Sequence, residues 1–132
     1  MKLGRILLLL GSGIFALYGL LFSVAPVELA LLVTGAVPAS PSALIDMRAT
    51  YGGMSIALGI IFMLLALQET TIRVGVVGLL LVMVCMAITR LVGIAMDGDA
   101  NTVMYAYLAL EIVAAALCGL ALGKGDKETT DG

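Results

Sequence analysis

The chain has 132 residues, of which 62% are hydrophobic and 12% are charged, whereas an ordinary soluble domain is roughly 45–50% apolar and about 25% charged. A soluble fold of this size has too little interior to bury so much apolar surface. With a mean hydropathy of +1.19, the composition predicts an integral membrane protein, with residues 1–132 as a single membrane domain.

The same counts exclude several kinds of site. The chain contains no histidine, which removes bis-histidine haem sites, histidine-rich metal sites and Ser-His-Asp triads. A net charge of −2 argues against a nucleic-acid partner, because phosphate binding needs clustered Lys and Arg. Cys85 and Cys118 form no Cys-x-x-Cys motif and are expected to be buried structural thiols. We therefore predict no metal and no cofactor.

The first apolar run covers residues 6–25 and follows Lys2 and Arg5. Such a basic start is typical of a membrane anchor or of a signal peptide. The Ser-Val-Ala sequence at 23–25 resembles a cleavage site, but a proline follows it, and the run exceeds the roughly 7–15 residues of a signal-peptide core. We therefore predict that 6–25 is span one.

A short apolar segment follows at 26–35, beginning with Pro26, which is favourable in the first turn of a helix. Its apolar part is too short to cross a bilayer. We predict a short interfacial helix between spans one and two, with Gly35 as its stop, and keep a re-entrant segment or a lid as alternatives.

Three longer helices complete the predicted fold. Ser40-Pro41 is a typical helix start and places helix two at 41–67. A short loop leads to span three at 72–96, and the Asp-Gly-Asp turn at 97–99 leads to span four at 102–123. The polar segment 124–132 is predicted to be a disordered tail. The fold class is thus an all-α integral membrane protein, an antiparallel four-helix bundle.

The orientation follows from the distribution of charge between the two ends of the bundle. Basic residues gather at one end and acidic residues at the other, where Arg48 is the one clear basic residue. Because short loops rich in Lys and Arg stay on the cytoplasmic side, both termini and the tail are predicted to be cytoplasmic. The basic set is Lys2, Arg5, Arg73, Lys124 and Lys127, and the acidic set is Glu28, Asp46, Asp97 and Asp99.

Two charged residues fall inside predicted spans. Arg90 lies about 9 Å and Glu111 about 14 Å from the outer ends of their helices, at 1.5 Å per residue. An isolated charge at such depth costs at least about 2.5–3.5 kcal/mol on insertion scales. We therefore expect the two side chains to face the bundle interior and to pair.

A ligand site is one interpretation of these charges. Arg48 and Tyr51 on helix two approach the same outer half, Asp97 lies at its rim, and Glu111 is the one deep carboxylate. One guanidinium would then remain to hold an anionic headgroup. Two alternatives stay open: the Arg–Glu pair is a structural staple, or Glu111 couples to a proton or an ion.

Small residues recur every four positions on two helices and predict close helix packing. We expect them to pack within the chain, with a homodimer face as the alternative. The packing residues are Ala49, Gly53 and Ala57 on helix two, Ala115, Gly119 and Gly123 on span four, and Gly93 on span three.

Three motifs then point to a family. They are Arg48-x-x-Tyr51-Gly52-Gly53, Arg90-x-x-Gly93-x-x-x-Asp97-Gly98, and Glu111 within Leu-Ala-Leu-Glu. In order and spacing they resemble an uncharacterised bacterial family of four-span membrane proteins, domain of unknown function 4345, which is distantly similar to the DoxX-like group. The resemblance implies a multi-pass protein of the bacterial inner membrane and no particular chemistry.

The leading functional hypothesis is a non-enzymatic bundle whose outer half binds an anionic amphiphile or lipid in a cavity lined by Arg48, Tyr51, Arg90 and Glu111. We predict no catalytic residue, because Glu111 has no nucleophile or metal ligands beside it. The alternatives are a small dimeric transporter coupled through Glu111 and an accessory subunit of a larger membrane complex.

Overall fold

The computed structural model describes residues 2–130, with the side chains of residues 2–124. Within this range the chain is helical and contains no strand. The helices are α1 (Lys2–Val24), α2 (Pro26–Thr34), α3 (Pro41–Met47), α4 (Met54–Leu67), α5 (Glu69–Asp97) and α6 (Thr102–Thr130). The tail predicted at 124–132 falls, beyond Lys124, outside the residues whose side chains are described.

Four helices are long and apolar enough to cross a membrane, by length and composition. They are Lys2–Val24, Pro41–Leu67, Glu69–Asp97 and Thr102–Lys124. The all-helical class and the four apolar helices predicted from the sequence are confirmed. The chain is thus a multi-pass membrane protein by these criteria.

Helix two combines α3, a π-helical segment at Arg48–Gly53 and α4. Ser40 caps its start, because its Oγ accepts a hydrogen bond from the Ala43 amide at 3.2 Å. The π-helical segment is a wider turn than the regular helix that the sequence predicts, and such turns occur mostly as short interruptions of α-helices. It therefore changes which residues of helix two face α1.

Helix two packs directly on α1 through backbone-to-backbone contact. A Cβ atom added to Gly19 would lie 2.6 Å from the Gly52 carbonyl oxygen and 2.7 Å from the Ile56 amide nitrogen. One added to Gly59 would lie 2.9 Å from backbone atoms of Ser12 and Ala16. Only glycine fits at these positions without moving a helix. Small residues therefore hold the two helices at close range.

The small residues that make this contact are not those predicted. Gly52 and Gly59 face α1 and Ser55 between them is buried, whereas Ala49, Gly53 and Ala57 lie on the exposed side of helix two. On α6, Gly119 and Gly123 are also exposed, and added Cβ atoms there would meet nothing within 4 Å. These predicted rows of small residues do not form helix contacts within the described chain. Several faces of a helix can carry small residues at four-residue spacing, and the neighbouring helix determines which face is packed. Ala115 and Gly93 are partly buried.

Arginines bind the carbonyl ends of both α1 and α4. Arg5 Nε, near the start of α1, donates to the Ala66 carbonyl at 3.1 Å, and its Nη2 lies 2.8 Å from Glu69 Oε1. Arg48 Nη1, near the start of helix two, donates to the Ser23 carbonyl. A guanidinium at a helix C-terminus satisfies an orphan carbonyl and interacts favourably with the helix dipole. The two contacts fix both ends of this helix pair.

The short helix α2 is tied to the start of α6. Asn101 Nδ2 donates to the Val33 carbonyl at 2.9 Å, while its Oδ1 accepts from the Met104 amide at 3.0 Å and so caps α6. Gly35 ends α2 in the left-handed conformation, with φ of 77°. Pro26, Ala30 and Val33 form the buried face of α2. One asparagine thereby orders a helix start and holds the neighbouring helix.

The core lies among α1, α4, α5 and α6, towards the end that holds the α4–α5 turn. It is built from aliphatic and aromatic side chains together with the buried thiol of Cys118, whereas Cys85, predicted to be buried, is exposed because it lies on another side of α5. Its members are Leu7, Leu8, Phe62, Ala66, Ile72, Val76, Leu79, Met83, Cys118 and Ala121.

The close contact of α1 with helix two generates a matched test. Gly19→Ala is expected to destabilise the protein by about 1–3 kcal/mol, because its methyl group meets backbone atoms that cannot rotate away. Gly13→Ala, on the same helix but with nothing within 4 Å of the added Cβ, is expected to be neutral or to stabilise by up to about 1 kcal/mol.

The measurement is thermal unfolding in detergent. Unfolding is monitored by chemical labelling of the Cys118 thiol, which is buried in the folded protein, in a Cys85→Ala background. Equal midpoints for the two alanine variants would contradict the close packing described for Gly19.

Candidate functional site

The predicted pairing of the two intramembrane charges is present. Arg90 Nε donates to both carboxylate oxygens of Glu111 at 3.1 Å, and Nη2 donates to Oε1 at 2.6 Å. The Glu111 side chain is only 3% exposed, and that of Arg90 is 17% exposed. This forked geometry provides parallel charge-assisted hydrogen bonds, which fix the relative orientation of the two groups.

The two helices bring the pair together because Arg90 and Glu111 each lie on the buried face of their own helix. On α5, Arg90 lies one turn beyond buried Ala87 and two turns beyond buried Met83. On α6, Glu111 lies two turns before buried Cys118. Residues seven apart lie on nearly the same side of a helix. The packing of α5 on α6 therefore points both side chains at each other.

Two further α6 side chains complete the surroundings of the guanidinium. Arg90 Nη1 donates to Met104 Sδ at 3.2 Å, and the Arg90 Cζ atom lies 5.3 Å from the centre of the Tyr107 ring. The first is a contact with a weak acceptor, and the second is a cation–π contact. Nη1 is thus the part of the guanidinium whose partner in the structure is weakest.

A row of aromatic rings connects this site with helix two. Tyr107 packs edge-on against Tyr18 at 6.5 Å, Tyr18 against Phe22 at 4.8 Å, and Phe22 stacks on Tyr51 at 5.2 Å. Tyr51 therefore contacts the predicted cluster only through other rings. The row joins α6 to α1 and α1 to the π-helical segment.

Arg48 does not join the pair. Its guanidinium binds the Ser23 carbonyl at the end of α1, and Glu111 receives its hydrogen bonds from Arg90 alone among the described residues. The expectation that Arg48, Arg90, Tyr51 and Glu111 line one cavity is wrong in this respect. The physical reason is that the last carbonyls of α1 lack partners within their own helix, and one of them accepts the Arg48 guanidinium.

An open cleft of about 310 Å³ lies beside Arg90, at the turn between α5 and α6. We call it the α5–α6 cleft. Asp97, predicted at the rim of the cluster, is one of its lining residues. Gly98, with φ of 67°, lines it where α5 ends. The lining is Arg90, Gly93, Ile94, Asp97, Gly98, Ala100 and Met104.

Sequence reasoning missed Asn101, Met104 and Tyr107. Met104 and Tyr107 precede Glu111 by seven and four residues, so helical periodicity alone places them on its face. Asn101 directly precedes the predicted start of span four, where asparagine is a preferred cap. These residues were identifiable from spacing, but their contacts with Arg90 and with α2 depend on tertiary packing.

Four helices long and apolar enough to cross a membrane thus define a multi-pass membrane protein, and a buried ion pair joins two of them. The family model described as domain of unknown function DUF4345 matches residues 3–122, so the chain belongs to this family. The family membership inferred from the sequence is confirmed. Neither the curated proteins nor the solved structures provide a match.

The buried pair generates a stability prediction. Arg90→Met is expected to cost roughly 3–5 kcal/mol, because it leaves the Glu111 carboxylate buried and unpaired. The double variant Arg90→Met with Glu111→Leu is expected to recover most of that loss, since it removes both charges together. Unfolding in detergent, followed through Cys118 labelling as above, measures both effects.

Glu69→Gln is the matched control, because Glu69 pairs with Arg5 at the surface, where its side chain is 70% exposed. A change below about 1 kcal/mol is expected there. If the double variant were as unstable as Arg90→Met alone, desolvation of Glu111 would not be the cause.

Proposed function

We propose that this chain is a non-enzymatic membrane protein that holds the anionic headgroup of an amphiphile against Arg90 in the α5–α6 cleft. The single observation that carries the proposal is the position of Arg90 Nη1. It belongs to a guanidinium that lines an open cleft, and its acceptor in the structure is a thioether sulfur. A phosphate or carboxylate oxygen is a much stronger acceptor for this N–H group.

In this proposal Glu111 is a positioning residue. Its carboxylate engages Nε and Nη2 of Arg90 and so holds the planar guanidinium with Nη1 directed elsewhere. Because the carboxylate is so fully engaged, coupling of transport through Glu111 has less support than headgroup binding. The apolar cleft residues Ile94, Ala100 and Met104 suit the acyl part of an amphiphile better than a fully hydrated solute.

We further propose that the four long helices form an antiparallel bundle in the bacterial inner membrane, with both termini in the cytoplasm. The short α4–α5 and α5–α6 connections support the alternation of direction. So do the arginine contacts at opposite ends of α1 and helix two. The basic residues near the α4–α5 end support a cytoplasmic location for it, which places the α5–α6 cleft in the outer half.

The test compares two lipids with the same acyl chains, phosphatidic acid and diacylglycerol, added to the purified chain in detergent. Native mass spectrometry measures how much of each lipid stays bound. The wild type is expected to prefer the phosphate lipid by about 1.5–3 kcal/mol, the value of a hydrogen bond to a charged group. The double variant Arg90→Met with Glu111→Leu is expected to lose that preference.

Arg48→Met is the matched control, since it removes a guanidinium that contacts Ser23 and does not line the cleft. It is expected to keep the preference for phosphatidic acid. Equal retention of the two lipids by the wild type, or equal loss in the Arg48 variant, would contradict the proposal. Constant copurification with one protein, without retained lipid, would favour the role of an accessory subunit.

A further inference from the structure

The α5–α6 cleft carries charges of both signs on one face of α5. Arg90 and Asp97 both line it, and they are seven residues apart, hence on nearly the same side of the helix. Gly93 lies between them, one turn from Asp97, and has no side chain to separate them. The two charges therefore border the same open space.

The carboxylate of Asp97 is turned back along the helix. A Cβ atom added to Gly93 would lie 3.9 Å from Asp97 Oδ2, so this oxygen lies above Gly93 and on the Arg90 side of its own backbone position. The cleft thus has a cationic end at Arg90 and an anionic end at Asp97. The glycine forms the floor between them.

The balance of charge favours a ligand with both signs. Arg90, Glu111 and Asp97 together carry one net negative charge, because Glu111 already compensates Arg90. A ligand with only an anionic group would bring a further negative charge beside Asp97, and like charges at short range repel. A ligand that also carries an ammonium group adds no net charge and gives Asp97 an opposite charge.

We infer that the cleft binds a zwitterionic headgroup, with its phosphate or carboxylate on Arg90 Nη1 and its ammonium group on Asp97. This inference rests on the proposed function and names the class of headgroup that the site selects. A membrane phospholipid with an amine headgroup and a soluble amino-phosphate share this chemistry. The apolar part of the cleft lining favours the lipid.

The test uses the full chain in detergent with two lipids of identical acyl chains, phosphatidylethanolamine and phosphatidic acid. Competition between them is followed by native mass spectrometry. The wild type is expected to prefer phosphatidylethanolamine by about two- to fivefold, as for a charge pair with an exposed carboxylate. Asp97→Asn is expected to abolish this preference, because it weakens phosphatidylethanolamine binding and removes the repulsion that disfavours phosphatidic acid.

Asp99→Asn is the matched control. Asp99 is a neighbouring carboxylate that does not line the cleft. It has a φ of 38°, a left-handed conformation that asparagine also tolerates. This variant is expected to keep the wild-type preference for phosphatidylethanolamine. Loss of the preference in both the Asp97 and the Asp99 variants would indicate a general effect of surface charge and would overturn the role of Asp97.

The outcomes separate the two proposals. If the wild type binds both lipids equally and Asp97→Asn changes nothing, the inference of a zwitterionic ligand fails. The proposed function is still supported in that case if phosphatidic acid binding depends on Arg90. If neither phosphate lipid is retained over diacylglycerol, the proposed function itself fails.

A third arm adds phosphoethanolamine, the same headgroup without acyl chains, as a competitor. Displacement of the lipid at equal concentration would identify a soluble zwitterion as the ligand and still support the charge pairing. A requirement for a large excess of the soluble headgroup would support a membrane lipid as the source.

Discussion

The Glu111 carboxylate lies among packed helices, where water cannot solvate it, and the guanidinium of Arg90 provides the hydrogen bonds that compensate for this. Because an isolated charge in that position is so costly, the pair sets how α5 and α6 are rotated about their axes. That rotation brings Met104 and Tyr107 against the guanidinium. It also leaves one edge of Arg90 facing the α5–α6 cleft. The candidate site is therefore a consequence of the way in which this carboxylate is satisfied.

The other half of the fold depends on close approach of backbones. Lipid is as apolar as the side chains, so helices in a membrane gain little from the hydrophobic effect and much from tight packing and polar contacts. Gly19 and Gly59 allow that approach between α1 and helix two. Arg5 and Arg48 satisfy carbonyls at the two ends of the pair. A row of aromatic rings then connects this pair to Tyr107 and hence to the charged site.

The sequence-based predictions are confirmed where the physical reason is a property of the residues themselves. The pairing of Arg90 with Glu111 follows from the cost of a lone charge, whatever the details of packing. The role of Arg48 could not be found in this way, because its nearest acceptor is a main-chain carbonyl of α1, which no residue type reveals. Regular four-residue spacing predicts the stripe at Ala49, Gly53 and Ala57, but this segment is partly π-helical. Helix two uses a neighbouring face instead.

The amino-acid sequence by itself determined the membrane class, the four long apolar helices, the buried ion pair and the family. Each of these follows from composition, from the cost of transferring charge, or from motifs within the chain. The tertiary structure decided which small residues form the contact between helices and which acceptors Arg48 and Arg90 bind. It also decided that Asp97 and Arg90 border one cleft with Gly93 between them. These features depend on the fit between two helix surfaces. That fit is a property of pairs of segments, and the periodicity of either helix alone leaves several equivalent faces.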